Sequence, residues 1–198
     1  MENRIKLPEP ERDLDFPLMK ALEMRRTVRK WNDTALSRQE LSNLLWAACG
    51  ITKNKHGKVK SKRTAPSACN SQEIRVYVLL KEGVFRYSEE NHELIEIVAD
   101  DIREHVGTQK MMKSAPLGLV YVADLLRLTG PLFRSDEAQR FCAWVDTGYI
   151  SQNVYLFCAA SNLATAALAL IKREKLRTLM KLEDHEKIVL TQAVGHAL

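Results

Sequence analysis

The feature that most constrains the fold is a long helical pattern that contains many small residues. Ser135-Asp136-Glu137 has the composition of a helix N-terminus, and the predicted helix runs to about Ser161. Small and aromatic side chains alternate along it, at Ala143, Gly148, Ser151, Tyr155, Ala159 and Ala160. Small side chains let another backbone approach closely. The pattern therefore predicts a helix that is buried on most sides and suited to contact with a second copy of the chain. Asn162 can take the left-handed conformation that ends such a helix.

Strand patterns lie on both sides of this helix in the sequence. Residues 74–80 are rich in β-branched and aromatic side chains, and the turn at 81–83 returns the chain through 84–87 as a hairpin partner. Residues 117–123 form a continuous apolar run typical of an inner strand, and 188–194 predict the last strand. The segment 163–171 fits either state, because its alanines favour a helix whereas its position after a buried helix favours a strand.

Shorter helices are predicted from capping signals and periodic apolar residues. Ser37 and Glu40 fit a capping box, apolar residues follow at helical spacing, and Gly50 fits the C′ position. Pro17 suits the first position of an earlier helix. A further helix is predicted after Asn91, with a buried face made of Leu94, Ile95, Val98 and Ile102.

The order of these elements predicts the fold class. Helices and strands interleave with at least one hairpin, and a short helix covers 176–182, so we expect an α+β fold with a mixed, mostly antiparallel sheet flanked by helices. Residues 1–16 contain two prolines and no periodicity and are expected to form an irregular arm. Residues 17–198 are therefore assigned to one domain.

Composition excludes several classes of protein. A hydrophobic fraction of 45% with 8 glycines and 6 prolines among 198 residues is that of an ordinary globular chain. The first residues do not resemble a signal peptide, and polar residues interrupt the most apolar stretch, 143–171, so no membrane span is expected. The 4 cysteines lack the spacing of zinc ligands, which favours free thiols in a reducing cytoplasm and no metal site.

The net charge of +5 comes from one segment. Residues 41–72 contain no acidic side chain, whereas Lys53, Lys55, Lys58, Lys60, Lys62 and Arg63 are all basic, so the rest of the chain is slightly acidic. Within it, residues 51–63 are expected to be a mobile loop. It lacks the interleaved aromatic residues of a nucleic-acid surface, so we expect no nucleic-acid partner. A cationic lid that attracts the phosphates of NAD(P)H and a plain solvated loop both remain open.

A second basic cluster, Met24-Arg25-Arg26-Thr27-Val28-Arg29-Lys30-Trp31, follows a short apolar stripe. Guanidinium groups bind phosphate bidentately, and a threonine hydroxyl can add a donor, so the cluster suits a phosphate-anchoring corner. Taken alone, the same composition is more typical of a solvated helix C-terminus, where cations are favoured.

Three separated sequence segments, taken in order, favour the phosphate-binding interpretation over the solvated helix end. They are Arg25-Arg26-Thr27-x-Arg29, the small polar loop 65–72, and the helix segment that runs from Asp146-x-Gly148 through Tyr155 to Asn162-Leu163. Together with the predicted elements, this set resembles the nitroreductase-like flavin family, and within it the shorter members related to SagB-type dehydrogenases. The resemblance extends from about Pro17 to Gly195.

The resemblance implies a homodimer with two FMN sites at the subunit interface and the long helix in the dimer core. The first piece is expected to hold the phosphate, with its last arginine near the N1/O2 edge of the ring. Loop 65–72 is expected to reach the ring from the other subunit, and two alanines after the long helix to cover the opposite ring face. The implied FMN contacts are Arg25, Arg26, Thr27, Arg29, Pro66, Ser67, Ala68, Asn70, Gln109, Ala166, Ala167 and His196.

The chain departs from the family pattern at two places. It ends with Gly195-His196-Ala197-Leu198, where many members continue with a lysine or arginine that closes on the phosphate. Only His196 is left for that role, so Arg25 and Arg26 are expected to carry more of the phosphate binding. Residues 164–171 lack the proline, glutamate or glycine often found over the ring, which leaves the substrate undefined.

The resemblance predicts an FMN-dependent oxidoreductase with alternating half-reactions. NADH or NADPH is expected to reduce the flavin at N5, and a planar electrophile such as a nitroaromatic or quinone to oxidise it. An arginine near N1/O2 stabilises the charge of reduced flavin, and no side chain is required as a catalytic acid or base. Two alternatives remain: a flavin-dependent dehydrogenase that acts on a peptide or other macromolecule, and a non-enzymatic basic binding module.

Other reactive side chains are expected to have structural roles. Cys69 is predicted to be a small filler in the pocket, and Tyr149 and Tyr155 to belong to the core or the interface. Four histidines are expected to be solvated and without partners, namely His56, His92, His105 and His185.

Overall fold

The computed structural model describes residues 3–57, 60–107 and 111–198. Its strands and helices follow in the order β1 (Arg4–Lys6), α1 (Leu18–Met24), α2 (Arg38–Cys49), β2 (Ile51–Lys53), β3 (Lys62–Arg63), β4 (Ile74–Leu80), β5 (Gly83–Ser88), β6 (Glu93–Val98), α3 (Met111–Ser114), β7 (Leu117–Asp124), α4 (Asp136–Ala160), β8 (Leu163–Leu168), α5 (Arg173–Leu179) and β9 (Glu186–His196). Within these ranges, no helix combines the length and hydrophobicity that a membrane crossing requires.

Seven of the strands form one sheet in the order β1-β6-β5-β4-β7-β9-β8, and β2 and β3 pair with each other. Every pairing of these named strands is antiparallel. The predicted α+β class with a mostly antiparallel sheet is therefore confirmed.

The sheet lies between two groups of helices. Residues 117–123 of β7 are all buried, and successive side chains point to opposite faces. Leu119 and Tyr121 pack in the same core cluster as apolar residues of α2 and α4, whereas Val120 and Val122 pack with those of α3 and α5. This double coverage explains the unbroken apolar run, and the predicted inner strand is confirmed.

Helix α4 also follows the prediction. Ser135 caps it, since the Ser135 Oγ accepts a hydrogen bond of 3.1 Å from the Ala138 N–H. The helix ends at Ala160, and Asn162 is left-handed with φ 54°. The ambiguous segment that follows is a strand, β8, which pairs with β9 and forms one edge of the sheet.

The helix predicted after Asn91 is wrong, because residues 93–98 form strand β6. The apolar positions 94, 95 and 98 fit a helical stripe, but three of these six residues are the β-branched Ile95, Ile97 and Val98, which favour a strand. The preceding hairpin strand β5 supplies the partner backbone, with Ser88 opposite Glu93.

Two segments expected to be irregular are partly ordered. In the N-terminal arm, β1 pairs with β6 and Leu7 is only 3% exposed. A three-residue strand is too short to show a period of two, which is why the sequence did not reveal it. The ends of the basic segment 51–63 form β2 and β3, while residues 58 and 59 lie outside the described ranges. Arg63 is not part of a cationic surface, because its Nη2 lies 3.1 Å from Glu89 Oε1 in a buried ion pair.

The predicted capping box at the N-terminus of α2 is confirmed, whereas the glycine at its C-terminus is needed for a reason other than the predicted one. The capping box is present: Ser37 Oγ accepts from the Glu40 N–H, and the Ser37 N–H donates to Glu40 Oε2 at 2.7 Å. Gly50 does follow the helix, but its φ of −65° is not left-handed. A Cβ at this position would lie 2.7 Å from the Trp46 carbonyl oxygen. The glycine is therefore required by close packing and not by a left-handed cap.

His92 was expected to be solvated, but it is the centre of a half-buried network. The Tyr87 hydroxyl lies 2.8 Å from His92 Nδ1, and Ser42 Oγ and the Pro8 carbonyl oxygen lie 2.7 and 3.0 Å from Nε2. A neutral ring that accepts at Nδ1 and donates at Nε2 satisfies these contacts. Two other expected solvated histidines also have neighbours: His105 lies 3.1 Å from the Lys175 ammonium, and His185 lies 3.7 Å from the Asp124 carboxylate.

We expect His92 to make the fold sensitive to acid. Burial lowers the pKa of His92 from its ordinary value of 6.5, so the unfolded chain takes up a proton more readily than the folded one. The resulting stabilisation is complete above pH 6.5 and is lost as the pH falls below that value. His92 is left-handed with φ 49°, a conformation that asparagine tolerates. Urea melts of the wild type and of His92→Asn should therefore differ in their pH dependence. Parallel pH profiles would contradict this role.

Candidate functional site

The basic cluster and strand β8 meet at the hydroxyl of Tyr155, on the C-terminal half of α4. The Ala167 N–H donates a hydrogen bond of 3.0 Å to the Tyr155 hydroxyl oxygen, and Thr27 Oγ1 lies 3.1 Å from the same oxygen. The Arg25 guanidinium carbon lies 5.5 Å from the centre of the Tyr155 ring. Tyr155 therefore connects two of the three sequence pieces, a role that the sequence analysis missed.

The backbone fixes the same arrangement. The Val28 N–H donates to the Thr165 carbonyl oxygen at 3.0 Å, and the Asn32 N–H donates to the His196 carbonyl oxygen at 3.1 Å. Because β8 is an edge strand, its outer carbonyl groups are free to accept such bonds. The segment after α1 is thus held along the ends of β8 and β9.

A buried polar network supports β8 from beneath. Gln192 Nε2 donates to Thr165 Oγ1 at 2.9 Å, while Gln192 Oε1 accepts from the Tyr121 and Ser151 hydroxyls at 2.7 and 2.8 Å. Burial keeps the pKa of Tyr121 well above its ordinary value, so its hydroxyl remains a donor. The network joins α4, β7, β8 and β9. The glutamine that follows Thr191 between the apolar ends of the predicted strand 188–194 is a sequence signal that could have indicated it.

The arginines of the cluster carry uncompensated charge. Arg25 is half-buried, whereas Arg26, Thr27 and Arg29 are exposed. The Arg26 guanidinium donates to the carbonyl oxygens of Glu23 and Arg25, which closes the C-terminus of α1. None of the ion pairs found within residues 3–57, 60–107 and 111–198 includes Arg25, Arg26 or Arg29. The cluster therefore presents free positive charge to the solvent.

The remaining residues of this group lie nearby in the fold. Ala166 is buried and Ala167 half-buried in β8. His196 lies near the end of β9, and its Nε2 is 3.7 Å from Glu40 Oε2, the carboxylate that also caps α2. Gln109 lies outside the described residues.

Loop 65–72 packs against a different part of α4. The Ala68 N–H donates to Asp146 Oδ2 at 2.8 Å. Ser67 Oγ accepts from the Gln72 N–H at 3.0 Å, and Asn70 Nδ2 donates to the Ser61 carbonyl oxygen at 3.1 Å.

The loop has an unusual backbone. Cys69, Asn70 and Gln72 are left-handed, with φ values of 51°, 51° and 55°. Cys69 was expected to be a filler, but it is exposed in the single chain, as is Pro66. Non-glycine residues in this conformation store strain, which the hydrogen bonds to Asp146 and Ser61 offset.

One subunit does not bring the two groups of predicted contacts together. Tyr155 and Asp146, which anchor them, are nine positions apart on α4, or about 13 Å along a helix that rises 1.5 Å per residue. The contacts near Tyr155 thus form one cluster and loop 65–72 another.

A groove of about 720 Å³ lies elsewhere, beside residues 33–41, β1 and the β5–β6 pair. Leu7, Phe85 and Leu94 contribute to its apolar floor. None of the predicted FMN contacts that lie within the described residues lines it. Carboxylates and basic groups both stand on its rim, so the groove specifies no charge for a ligand.

The fold and the site define an α+β protein with an open cationic corner beside the edge of a buried sheet. A sequence model described as the Nitroreductase family matches residues 22–196. The chain therefore belongs to the nitroreductase family, and the predicted resemblance is confirmed.

Three relatives illustrate the similarity. MJ1384 of Methanocaldococcus jannaschii, provisionally named a nitroreductase, is 26% identical over 196 residues, which cover 94% of this chain and 93% of that protein. A crystal structure from Ralstonia eutropha JMP134, also provisionally named a nitroreductase, is 34% identical with a TM-score of 0.89 over 98% of this chain and 90% of its own. A third structure, from Desulfovibrio desulfuricans and in complex with FMN, is 20% identical with a TM-score of 0.63 over 92% of this chain and 87% of its own.

Proposed function

We propose that the chain is an FMN-dependent oxidoreductase and that the corner around Arg25, Thr27 and Tyr155 holds the FMN phosphate. The observation that carries the proposal is the Tyr155 hydroxyl, which joins the basic cluster to β8. Membership of the nitroreductase family supports an oxidoreductase. The FMN complex of the Desulfovibrio desulfuricans relative supports FMN as the cofactor.

The donors at this corner fit a phosphate dianion. Because the Tyr155 oxygen accepts from the Ala167 N–H, its own proton is available for Thr27 Oγ1. The proton of Thr27 is then free to donate outward. Arg25 is oriented by the Tyr155 ring and Arg29 is exposed, so both guanidinium groups can approach the same anion without losing a carboxylate partner.

The chain's residues bind and orient the cofactor, and FMN supplies hydride acceptance and donation at N5 when it is bound. In this proposal Arg29 lies near the N1/O2 edge, where its fixed charge favours the reduced state. The proposed electron donor is NADH or NADPH, and the proposed acceptor is a planar electrophile such as a nitroaromatic or a quinone. The proposal assigns no catalytic acid or base to a side chain.

The exposed face of α4 supports a homodimer. Phe141, Trp144 and Tyr149 are 63%, 64% and 46% exposed, although large apolar side chains are normally buried. Between them, a Cβ at Gly148 would meet no atom within 4 Å. A second helix can therefore approach closely at Gly148 and cover the aromatic side chains around it. Leu18 and Met19 of α1 extend the same kind of exposed apolar surface.

A dimer also gives loop 65–72 a role. Within one subunit this loop and the Tyr155 corner lie at different points of α4, so each alone offers half of a binding site. In the proposal, Ser67 and Asn70 of one subunit approach the flavin ring held by the other subunit. Ala166 and Ala167 cover the opposite ring face with their backbone.

The proposal is tested by the visible spectrum of the purified full-length chain mixed with FMN. The expected result is a protein-bound flavin spectrum that bleaches under anaerobic conditions on addition of NADH or NADPH. The spectrum should then return when a quinone or nitroaromatic is added. A colourless protein that is instead retained on nucleic acid would favour a basic binding module and overturn the proposal.

Tyr155→Phe isolates the contribution of the hydroxyl. The variant keeps the ring beside Arg25 but removes one partner from both Thr27 and the Ala167 N–H. The loss of hydrogen bonds worth about 1 kcal/mol each is expected to weaken FMN binding roughly 5- to 30-fold. Fluorescence titration with FMN measures the effect. Tyr77→Phe, which removes a hydroxyl that contacts Glu186 at 3.3 Å outside both groups of proposed FMN contacts, is the matched control. Equal affinities for the two variants would count against the Tyr155 corner.

A further inference from the structure

Two carboxyl groups are buried together behind loop 65–72. Asp146 on α4 is 3% exposed, and Glu73, just before β4, is 0% exposed. The Ala68 N–H donates to Asp146 Oδ2 at 2.8 Å, and the Ser71 hydroxyl donates to Glu73 Oε2 at 2.6 Å. The two carboxyl groups are also close enough for Glu73 to act on Asp146 and raise its pKa. The two carboxyl groups therefore bind the segment at two places, the Ala68 N–H and the Ser71 hydroxyl.

The pair contains one oxygen that needs a proton. Glu73 Oε1 is buried and has no hydrogen-bond partner among the described residues. If both groups were ionised, two charges would also lie together away from water, which is strongly unfavourable. A proton held between the carboxyl groups gives the orphan oxygen a partner and removes the repulsion. Consistent with this arrangement, burial and the neighbouring Glu73 raise the pKa of Asp146 to about 7.

Nearby charged and titratable groups do not neutralise the pair. Arg63 borders the same small cavity as Asp146, but its guanidinium is paired with Glu89 at 3.1 Å. Arg127 donates to the Gln72 carbonyl oxygen at 2.9 Å and faces Asp124. The thiol of Cys142, from the preceding turn of α4, also faces the pair, and the loop thiol Cys69 lies near Cys142. No ion pair within the described ranges includes Asp146 or Glu73.

We propose that Asp146 and Glu73 are positioning residues that share one proton, and that loss of this proton loosens loop 65–72 and its contact with the flavin. This inference rests on the proposed function for its effect on FMN, but the effect on the loop stands independently. The left-handed residues Cys69, Asn70 and Gln72 make the loop dependent on its anchors. Once both carboxylates are charged, their repulsion separates α4 from the segment that carries Ser71 and Glu73.

Asp146→Asn mimics the proton-bearing state. Its side-chain oxygen can accept from the Ala68 N–H, and its amide N–H can donate to Glu73 Oε1. Asp146→Leu removes both bonds at similar volume. A purely structural role predicts that any loss of fit destabilises the loop equally at all pH values. A shared proton predicts instead that the asparagine variant keeps the loop and loses only its pH dependence.

Hydrogen exchange of the Ala68 amide in the FMN-free full chain tests the effect on the loop. If opening returns the Asp146 pKa from about 7 to its ordinary value of 3.8, opening releases one proton between these two pH values, so the wild-type protection factor should fall by up to about tenfold per pH unit across this interval and level off above pH 7. Asp146→Asn should retain high protection with a flat profile, and Asp146→Leu should show low protection throughout. A flat wild-type profile, or an asparagine profile that matches the wild type, would overturn the inference.

FMN affinity measured over the same pH range separates this inference from the proposed function. If binding and loop closure are tightly coupled, the ratio of wild-type to Asp146→Asn affinity should fall by up to about tenfold per pH unit as the pH rises from 3.8 to about 7, and it should be constant above pH 7. Ionisation of the FMN phosphate cancels in this ratio. If the loop protection depends on pH but the chain binds no FMN, the proposed function is wrong and the inference about the loop stands. If the chain binds FMN tightly but the ratio of the two affinities does not change with pH, the proposed coupling between the loop and the flavin is wrong.

Discussion

Arg25→Ala is expected to abolish retention of FMN during purification. Arg25 has no carboxylate partner within the described ranges and is oriented by the Tyr155 ring, so its charge is available to the phosphate. A charge-assisted hydrogen bond contributes about 1.5–3 kcal/mol, which corresponds to a roughly 10- to 150-fold weaker affinity when it is lost. Bidentate contact places the effect at the upper end. Fluorescence titration and the flavin content of the purified variant measure it.

Arg26→Ala should have the smaller effect of the two neighbouring arginines. The Arg26 guanidinium already donates to carbonyl oxygens at the end of α1, so it has fewer donors left for the phosphate than Arg25. The substitution therefore removes a weaker phosphate contact and also destabilises the last turn of α1. Arg177→Ala on α5 is the matched control, because it removes the same charge from a side chain that pairs with Asp184. If Arg25→Ala bound FMN as tightly as Arg177→Ala, the phosphate corner would be wrongly placed.

Gly148→Trp is expected to convert a dimer into a monomer and to remove FMN with it. In the single chain the new side chain meets open space, so the subunit fold should tolerate it. At a close helix-to-helix contact, however, the indole would displace the second subunit. Sedimentation velocity gives the oligomeric state, and absorbance at the flavin band gives the bound cofactor.

Gly148→Ala is the matched control for this experiment. Alanine fits a close helix contact and favours helix by about 0.5–1 kcal/mol over glycine, so it should keep the dimer and slightly raise the melting temperature. A Gly148→Trp variant that remained dimeric and yellow would place the subunit interface on another face.

The sequence predicted best where local signals and burial agree. The capping box of Ser37 and Glu40 closes within one helical turn, and the unbroken apolar run of β7 and the small residues of α4 are visible in the local composition. The family resemblance rested on ordered motifs, so it did not depend on the boundary of any one element.

The errors arose where distant partners decide the structure. Residues 93–98 carry apolar spacing that fits a helix, and pairing with β5 selects the strand that their β-branched residues also favour. The arm residues 4–6 become a strand by pairing with β6. His92 gained buried partners from three other segments, including Pro8 and Ser42. None of these contacts has a local sequence signal.

In the proposed phosphate corner, too, residues with local sequence signals were predicted and residues that depend on distant partners were not. Arg25, Thr27 and Arg29 were identifiable because charge and motif order are visible in the sequence. Tyr155 was predicted to belong to the core or the interface and Gln192 was given no role, since their hydrogen bonds across α4, β8 and β9 are not visible in the sequence. The proton shared by Asp146 and Glu73 likewise depends on burial that is created only when the loop packs on α4.

The most direct test of the account is the binding stoichiometry of FMN, measured on the full-length chain by flavin fluorescence together with sedimentation at the flavin absorbance. We expect one FMN per subunit, quenched on binding, sedimenting with a species of twice the chain mass. Free flavin that leaves a monomeric protein behind would contradict it.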